Sequence, residues 1–250
     1  MKFLILYKHH LYSSIKNKKL FFVVLSYFIL ILLFVFISGK IQDGMKNSLG
    51  NKILLEEIQE RFGDIRILIP YAISLLLIPI ITLINNFNYL VNDINNGSLR
   101  YLIIRAKRFQ IYLAMVLSEF TYIGIAIILS IAIILTYLYF KGFSFGNFIY
   151  ILLPILVLLF YAFVFISLFT MINVFSKNQF SSLFYCLISL VLLIFFMQNK
   201  FLKYISAFYY VPDLLGSEEN LQIALKLFGM LAFVIIFNLI GLYLFDRRDL

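Results

Sequence analysis

Few side chains in this sequence of 250 residues have the type and spacing that chemistry requires. The two histidines, His9 and His10, are adjacent, so on a helix their side chains diverge by about 100° and suit a shared metal poorly. The single cysteine, Cys186, lies in an apolar run, which excludes an internal disulfide and a cysteine metal cluster. No Gly-x-x-x-x-Gly-Lys-Ser/Thr stretch occurs, so the sequence lacks a phosphate-binding loop of that type. We therefore expect no catalytic residues, metal or cofactor in this chain.

Glu56, Glu57 and Arg61 have the spacing found in membrane-embedded prenyl-protein proteases. That reaction also requires histidines in later spans, which activate water beside the glutamates. No histidine follows His10. We therefore interpret the glutamates as a charged helix face in a loop.

Glu119 is the only ionisable residue deep inside an apolar run. A carboxylate at the centre of a span costs about 2.5–3.5 kcal/mol on insertion scales, so we expect it to face protein or water. Two interpretations stay open: a polar element of a translocation conduit, or a structural hydrogen bond to a neighbouring helix or subunit.

The composition predicts a protein that lies almost wholly in a membrane. Hydrophobic residues make up 63% of the chain and charged residues only 13%, against about 25% charged in soluble domains. Each long apolar run can cross a hydrocarbon core of about 30 Å as a helix. We predict an all-α polytopic fold, one transmembrane domain over residues 1–250, with six spans: Leu20–Ser38, Ile67–Leu90, Ile111–Phe140, Phe148–Val174, Phe180–Met197 and Leu227–Phe245.

Lysine and arginine are densest, and least opposed by acids, in residues 1–19 and 91–110. The positive-inside rule therefore places both termini in the cytoplasm of a cell membrane protein and residues 39–66 and 198–226 outside. We assign the net charge of +9 to contact with anionic lipid and not with nucleic acid. Residues 1–19 predict an amphipathic interfacial helix, with Phe3, Tyr7, Leu11 and Ile15 along one stripe.

The cytoplasmic segment 93–108 reads DINNGSLRYLIIRAKR. It resembles the same segment in permease subunits of type-2 ATP-binding-cassette exporters, where an acidic residue, a Gly-Thr or Gly-Ser pair, a Leu-rich turn and an arginine lead into the third span. Asp93, Gly97-Ser98, Leu102 and Arg108 match this pattern, whereas Arg105 stands where the family has proline. Six spans, an amphipathic start and a C-terminal FDRRDL tail extend the resemblance over the whole chain.

The resemblance implies that a separate ATPase subunit holds ATP and Mg²⁺ and docks on a short helix in this segment. Gly97 allows a sharp turn and Ser98 can cap the helix. The coupling residues would be Asp93, Gly97, Ser98, Leu99, Leu102 and Arg108. A second permease subunit, identical or related, would complete the pathway, with spans two and five lining it. The pathway candidates are Asn85, Asn86, Asn88, Glu119, Ser182 and Ser189; for spans two and five, ordinary helix packing is the alternative interpretation.

The resulting hypothesis is the membrane subunit of an ATP-driven exporter of an amphipathic or hydrophobic cargo, with a toxin-like or antimicrobial peptide favoured. Drugs or lipids are alternative cargoes. A membrane signalling or scaffold protein that transports nothing is the alternative from another class. A secondary transporter is disfavoured, because such proteins have inverted repeats and several intramembrane charges.

Overall fold

The computed structural model describes residues 2–16, 21–29, 31, 33, 65–87, 91, 93, 97–140, 149–211 and 220–248. These residues form helices and no strand. The helices are α1 (Lys2–Lys16), α2 (residues 21–29), α3 (Ile65–Asn86), α4 (Ser98–Arg105), α5 (Arg108–Phe140), α6 (Ile149–Phe175), α7 (Gln179–Gln198) and α8 (Asn220–Arg247). Two 3₁₀ turns, Leu202–Ile205 and Ala207–Tyr210, lie between α7 and α8.

Four helices within the described residues are long and apolar enough to cross a membrane, which agrees with a helical membrane fold but gives four of the six predicted spans. They cover Arg108–Ile133, Leu152–Phe175, Gln179–Gln198 and Leu221–Arg247, while Tyr71–Asn86 is apolar but shorter. The predicted limits agree with α5, α6 and α7 closely, but α8 begins at Asn220, well before Leu227. Residues 21–29, 31 and 33 of the first predicted span are described and helical, whereas loop 39–66 lies outside the described residues except for 65 and 66.

Helix α6 lies at the centre of the bundle. It packs against α8, α3, α5 and α7, and Tyr161, Phe165 and Phe169 on it are fully buried. Tyr161 also supplies a hydrogen bond that α3 lacks. Pro79 has no N–H and leaves the carbonyl of Leu75, four residues earlier, without its helical donor. The Tyr161 hydroxyl donates a hydrogen bond of 3.0 Å to this carbonyl.

Two glycines let tyrosine rings approach α8 closely. A Cβ atom at Gly241 would lie 2.2 Å from the Tyr112 hydroxyl oxygen, and one at Gly229 would lie 2.2 Å from Cδ1 of Tyr210. Tyr112 is fully buried on α5, and its ring packs 5.9 Å from that of Phe245. The absence of a side chain at position 241 therefore sets the distance between α5 and α8.

We predict that Gly241→Ala lowers the stability of the purified protein by about 1–3 kcal/mol, the usual cost of overpacking. Tyr112→Phe removes the closest clashing atom and should restore part of the loss. Gly124→Ala is the matched control, because its added Cβ would meet only Leu159 Cδ2, at 3.4 Å. The melting temperature of each variant is measured by thermal unfolding in detergent. Equal melting temperatures for Gly241→Ala and Gly124→Ala would contradict this account.

Helix α1 packs against α5, but along a different line from the predicted stripe. Leu6 and His10 are its buried residues, and Phe3, Tyr7 and Leu11 are partly buried. Ile15, predicted on the same stripe, is exposed. The stripe prediction was wrong at that end, because a strict four-residue spacing drifts around a helix with 3.6 residues per turn.

Burial of His10 makes the docking of α1 sensitive to acid. Burial, and secondarily the charge of His9, lowers the pKa of His10 from 6.5 to about 4. The undocked state then binds more protons than the docked state between these two values, so stability falls as the pH drops from about 6.5 to 4. We predict faster protease cleavage within α1 at pH 4.5 than at pH 7.

His10→Phe should remove most of this pH dependence, whereas His9→Gln, at an exposed position, should keep it. The assay requires a protease that is stable and active at both pH values. The same pH dependence in the His10→Phe variant would assign the acid sensitivity to other groups.

Candidate functional site

Three helices end side by side at one end of the bundle, where α5 and α7 begin. We call this the polar end. The last carbonyl groups of a helix have no donor within the helix, and they carry the negative end of its dipole. At the polar end, side chains from neighbouring helices donate to all three sets of carbonyls.

Asn173 of α6 donates to the end of α3. Its side-chain amide forms hydrogen bonds of 2.7 Å with both the main-chain carbonyl and the side-chain oxygen of Asn86. The Asn86 amide in turn donates to Thr170 Oγ1 at 3.0 Å and to the Ile166 carbonyl at 3.4 Å. The Ser182 hydroxyl, from α7, donates to the Asn173 side-chain oxygen. This buried network joins α3, α6 and α7.

Arg108, at the start of α5, donates to the end of α8. Its Nη1 atom lies 3.2, 2.7 and 2.8 Å from the main-chain oxygens of Phe245, Asp246 and Arg248. A guanidinium at a helix carboxyl end satisfies free carbonyls and opposes the dipole at the same time.

Arg248 donates to the end of α6. Nη1 bonds the carbonyls of Asn173, at 3.3 Å, and Val174, and Nη2 bonds that of Ser176 at 2.7 Å. Partial burial lowers the pKa of Arg248 from its ordinary value, yet an arginine stays charged in proteins. The preceding residue, Arg247, instead lies over the Tyr243 ring, 4.3 Å from its centroid. Neighbouring arginines therefore have different roles.

The predicted pathway residues do not form one site among the described residues. Asn86 and Ser182 meet through Asn173. Asn85 is buried, and the Ser189 hydroxyl bonds only its own helix, at the Cys186 carbonyl. Glu119 is buried, as expected for a carboxylate that faces protein. Asn88 lies outside the described residues.

The short helix predicted in segment 93–108 is present as α4. Gly97 occupies the position before it with φ of 70°, a left-handed conformation that favours glycine, so the expected sharp turn is confirmed. The helix starts at Ser98, and Gly97 takes the capping position predicted for Ser98. Asp93 is helical and half-buried. Only Ala106 and Lys107 separate α4 from α5.

The residues that α4 presents to solvent are not those the sequence suggested. Leu99 is fully buried and Leu102 packs against the core, while Arg108 binds the end of α8. Tyr101 and Ile104 are 75% and 83% exposed. Arg105 and Lys107 are exposed beside them. A role in coupling for Leu99, Leu102 and Arg108 stays a prediction, and the side chains that α4 exposes are Tyr101 and Ile104.

Sequence reasoning missed Asn173, Thr170 and the capping role of Arg248. Asn173 carried a usable signal, since an asparagine in an apolar helix must find partners within the bundle. Arg248 carried none, because the same two arginines satisfy the positive-inside rule whether or not they bind carbonyls.

No protein-family model matches this chain, and no curated protein matches it.

We predict that Ser182→Ala lowers stability by about 0.5–2 kcal/mol, the range for one buried hydrogen bond between helices. Ser189→Ala is the matched control on the same helix, because its hydroxyl makes only a local bond, and should change stability by less than about 0.5 kcal/mol. Thermal unfolding in detergent gives both values. Equal losses of stability in Ser182→Ala and Ser189→Ala would show that the network between helices does not stabilise the protein.

Proposed function

We propose that this chain is the membrane subunit of an ATP-driven exporter, with ATP and Mg²⁺ bound by a separate ATPase subunit. The membrane domain has six spans, formed by the four candidate spans, α3 and the run 20–38. It lies in the cell membrane with both termini in the cytoplasm, and the polar end faces the cytoplasm. The resemblance of residues 93–108 to type-2 ATP-binding-cassette permeases supports this proposal.

The exposed face of α4 is the structural feature that best supports this proposal, because it can dock on an ATPase subunit. Tyr101 and Ile104 are three residues apart and share one face of the helix. Large side chains that are this exposed, beside Arg105 and Lys107, suit an apolar pocket with an acidic rim on a partner protein. Aromatic residues and arginine are enriched at such contacts.

The attachment of α4 explains how docking would act on the spans. The short link to α5 and the bonds from Arg108 to the end of α8 tie any displacement of α4 to two candidate spans. Arg248 extends the connection to α6. Closure of the ATPase subunits would therefore move the polar end as a unit.

A second permease subunit, identical or related, completes the pathway in this proposal. Helix α7 leaves most of its apolar surface uncovered, including Phe184, Val191 and Phe195. Ser182 and Asn86 are engaged within the chain, so the part of the pathway nearest the polar end opens only if their network separates. The cargo is amphipathic or hydrophobic, with a toxin-like or antimicrobial peptide favoured and drugs or lipids as alternatives.

We predict that Ile104→Asp abolishes co-purification with the ATPase subunit while the permease still inserts in the membrane. The charge would be buried without a partner at the contact, which costs several kcal/mol. Co-purification from detergent extracts, with ATP hydrolysis as a second measurement, tests this result.

The matched control is Ile15→Asp, since Ile15 is also an exposed isoleucine, on α1 instead of α4. It should leave the complex intact. Capture of no ATPase by the unsubstituted chain would contradict the exporter proposal itself. Equal complex yields for Ile104→Asp and the unsubstituted chain would move the contact away from α4.

A further inference from the structure

The segment 199–211, which follows α7, has an inner face that fixes it to the bundle. The buried Ser206 hydroxyl donates a hydrogen bond of 2.8 Å to the Leu193 carbonyl of α7. The Phe208 ring lies 5.6 Å from Phe165 and 6.1 Å from Tyr161, both on α6. The two 3₁₀ turns therefore hold a defined orientation against α6 and α7.

The outer face of the same segment is apolar and basic. Phe201 is 88% exposed, and Tyr204 and Ile205 are each about half exposed. Lys200 is exposed beside them, and residues 199–211 contain no acidic residue. The Lys203 ammonium lies 5.1 Å from the centroids of both the Tyr204 and Tyr209 rings, so aromatic rings hold this charge in place.

The length of α7 places this face at a definite depth. Its 20 residues span about 30 Å, the thickness of the hydrocarbon core. With Gln179 at one boundary of the core, Gln198 reaches the other, and the residues that follow lie at the level of the lipid headgroups. Aromatic rings and lysines are favoured there, because the rings enter the acyl boundary and the ammonium groups meet phosphates.

We propose that Phe201, Lys203, Tyr204 and Ile205 form a lipid-binding face, with the apolar side chains inserted at the acyl boundary and Lys203 against phospholipid phosphates. This face anchors the end of the bundle opposite the polar end. It does not depend on the exporter proposal, since any helical membrane protein of this structure would use it.

The absence of tryptophan from the sequence gives a direct test. Phe201→Trp introduces the only tryptophan, which can be excited selectively over the 17 tyrosines. The full chain is reconstituted in phosphatidylcholine and phosphatidylglycerol vesicles with bromine at a shallow or a deep acyl position. We expect shallow bromine to quench the fluorescence at least twofold more than deep bromine does. Ile236→Trp, at an exposed position near the middle of α8 and away from the α7 surface, is the matched control and should show the opposite order.

Two results would overturn the proposal. Quenching of Phe201→Trp by aqueous iodide as strong as that of free N-acetyl-tryptophanamide, with little effect of bromine, would place the segment in water. Insensitivity to both iodide and bromine would show that protein, such as a second copy of the chain, covers this face.

Lys203 is tested in the same Phe201→Trp background. Lys203→Glu places a negative charge against the phosphates and should shift quenching away from bromine, with at least a twofold rise in iodide quenching. Lys200→Glu, which lacks the two tyrosine rings, should have a smaller effect. An unchanged quenching profile for Lys203→Glu would overturn the contact between Lys203 and phosphate.

Discussion

The carbonyl groups at the ends of α3, α6 and α8 impose the constraint on which the rest of the bundle depends. A helix end leaves carbonyls without donors, and those that the bundle buries must find donors within the protein. Asn173, Arg248 and Arg108 each donate to the end of a different helix. Since each donor belongs to one element and its acceptors to another, satisfying the helix ends also fixes which helices lie together.

The same principle operates deeper in the bundle, where α6 is the common partner. Pro79 frees one carbonyl in α3, and the Tyr161 hydroxyl of α6 meets it. Close packing supplies the remaining cohesion, because Gly241 admits the Tyr112 ring against α8. Helix α6 thus packs at the centre of the bundle. It also donates a hydrogen bond to α3, and the carbonyls at its own carboxyl end accept hydrogen bonds from Arg248. Movement of α3 or α8 relative to α6 would have to break at least one of these polar contacts.

Hydropathy predicted the helical fold and the limits of α5, α6 and α7 well, because a span in lipid satisfies nearly all its peptide groups by forming a helix. It failed where tertiary contacts decide. Asn86 and Ser182 were predicted as polar residues of interest, but their meeting depends on Asn173, on a helix whose polar residues drew no attention. Leu99 and Ile104 look equally apolar in the sequence, and only the packing of α4 against α5 buries one and exposes the other. Likewise, Arg247 and Arg248 are indistinguishable by charge but bind different groups.

The reactivity of Cys186 tests most directly whether the capped helix ends hold the polar end closed. This sole thiol is buried on α7, one turn beyond Ser182, and a membrane-permeant thiol reagent reaches it only when the end opens. Arg248→Gln should raise its modification rate about tenfold, since hydrogen bonds from a charged donor contribute about 1.5–3 kcal/mol and 1.4 kcal/mol corresponds to a factor of ten. Arg247→Gln should leave the rate unchanged. Equal rates in both variants and in the unsubstituted chain would contradict the account.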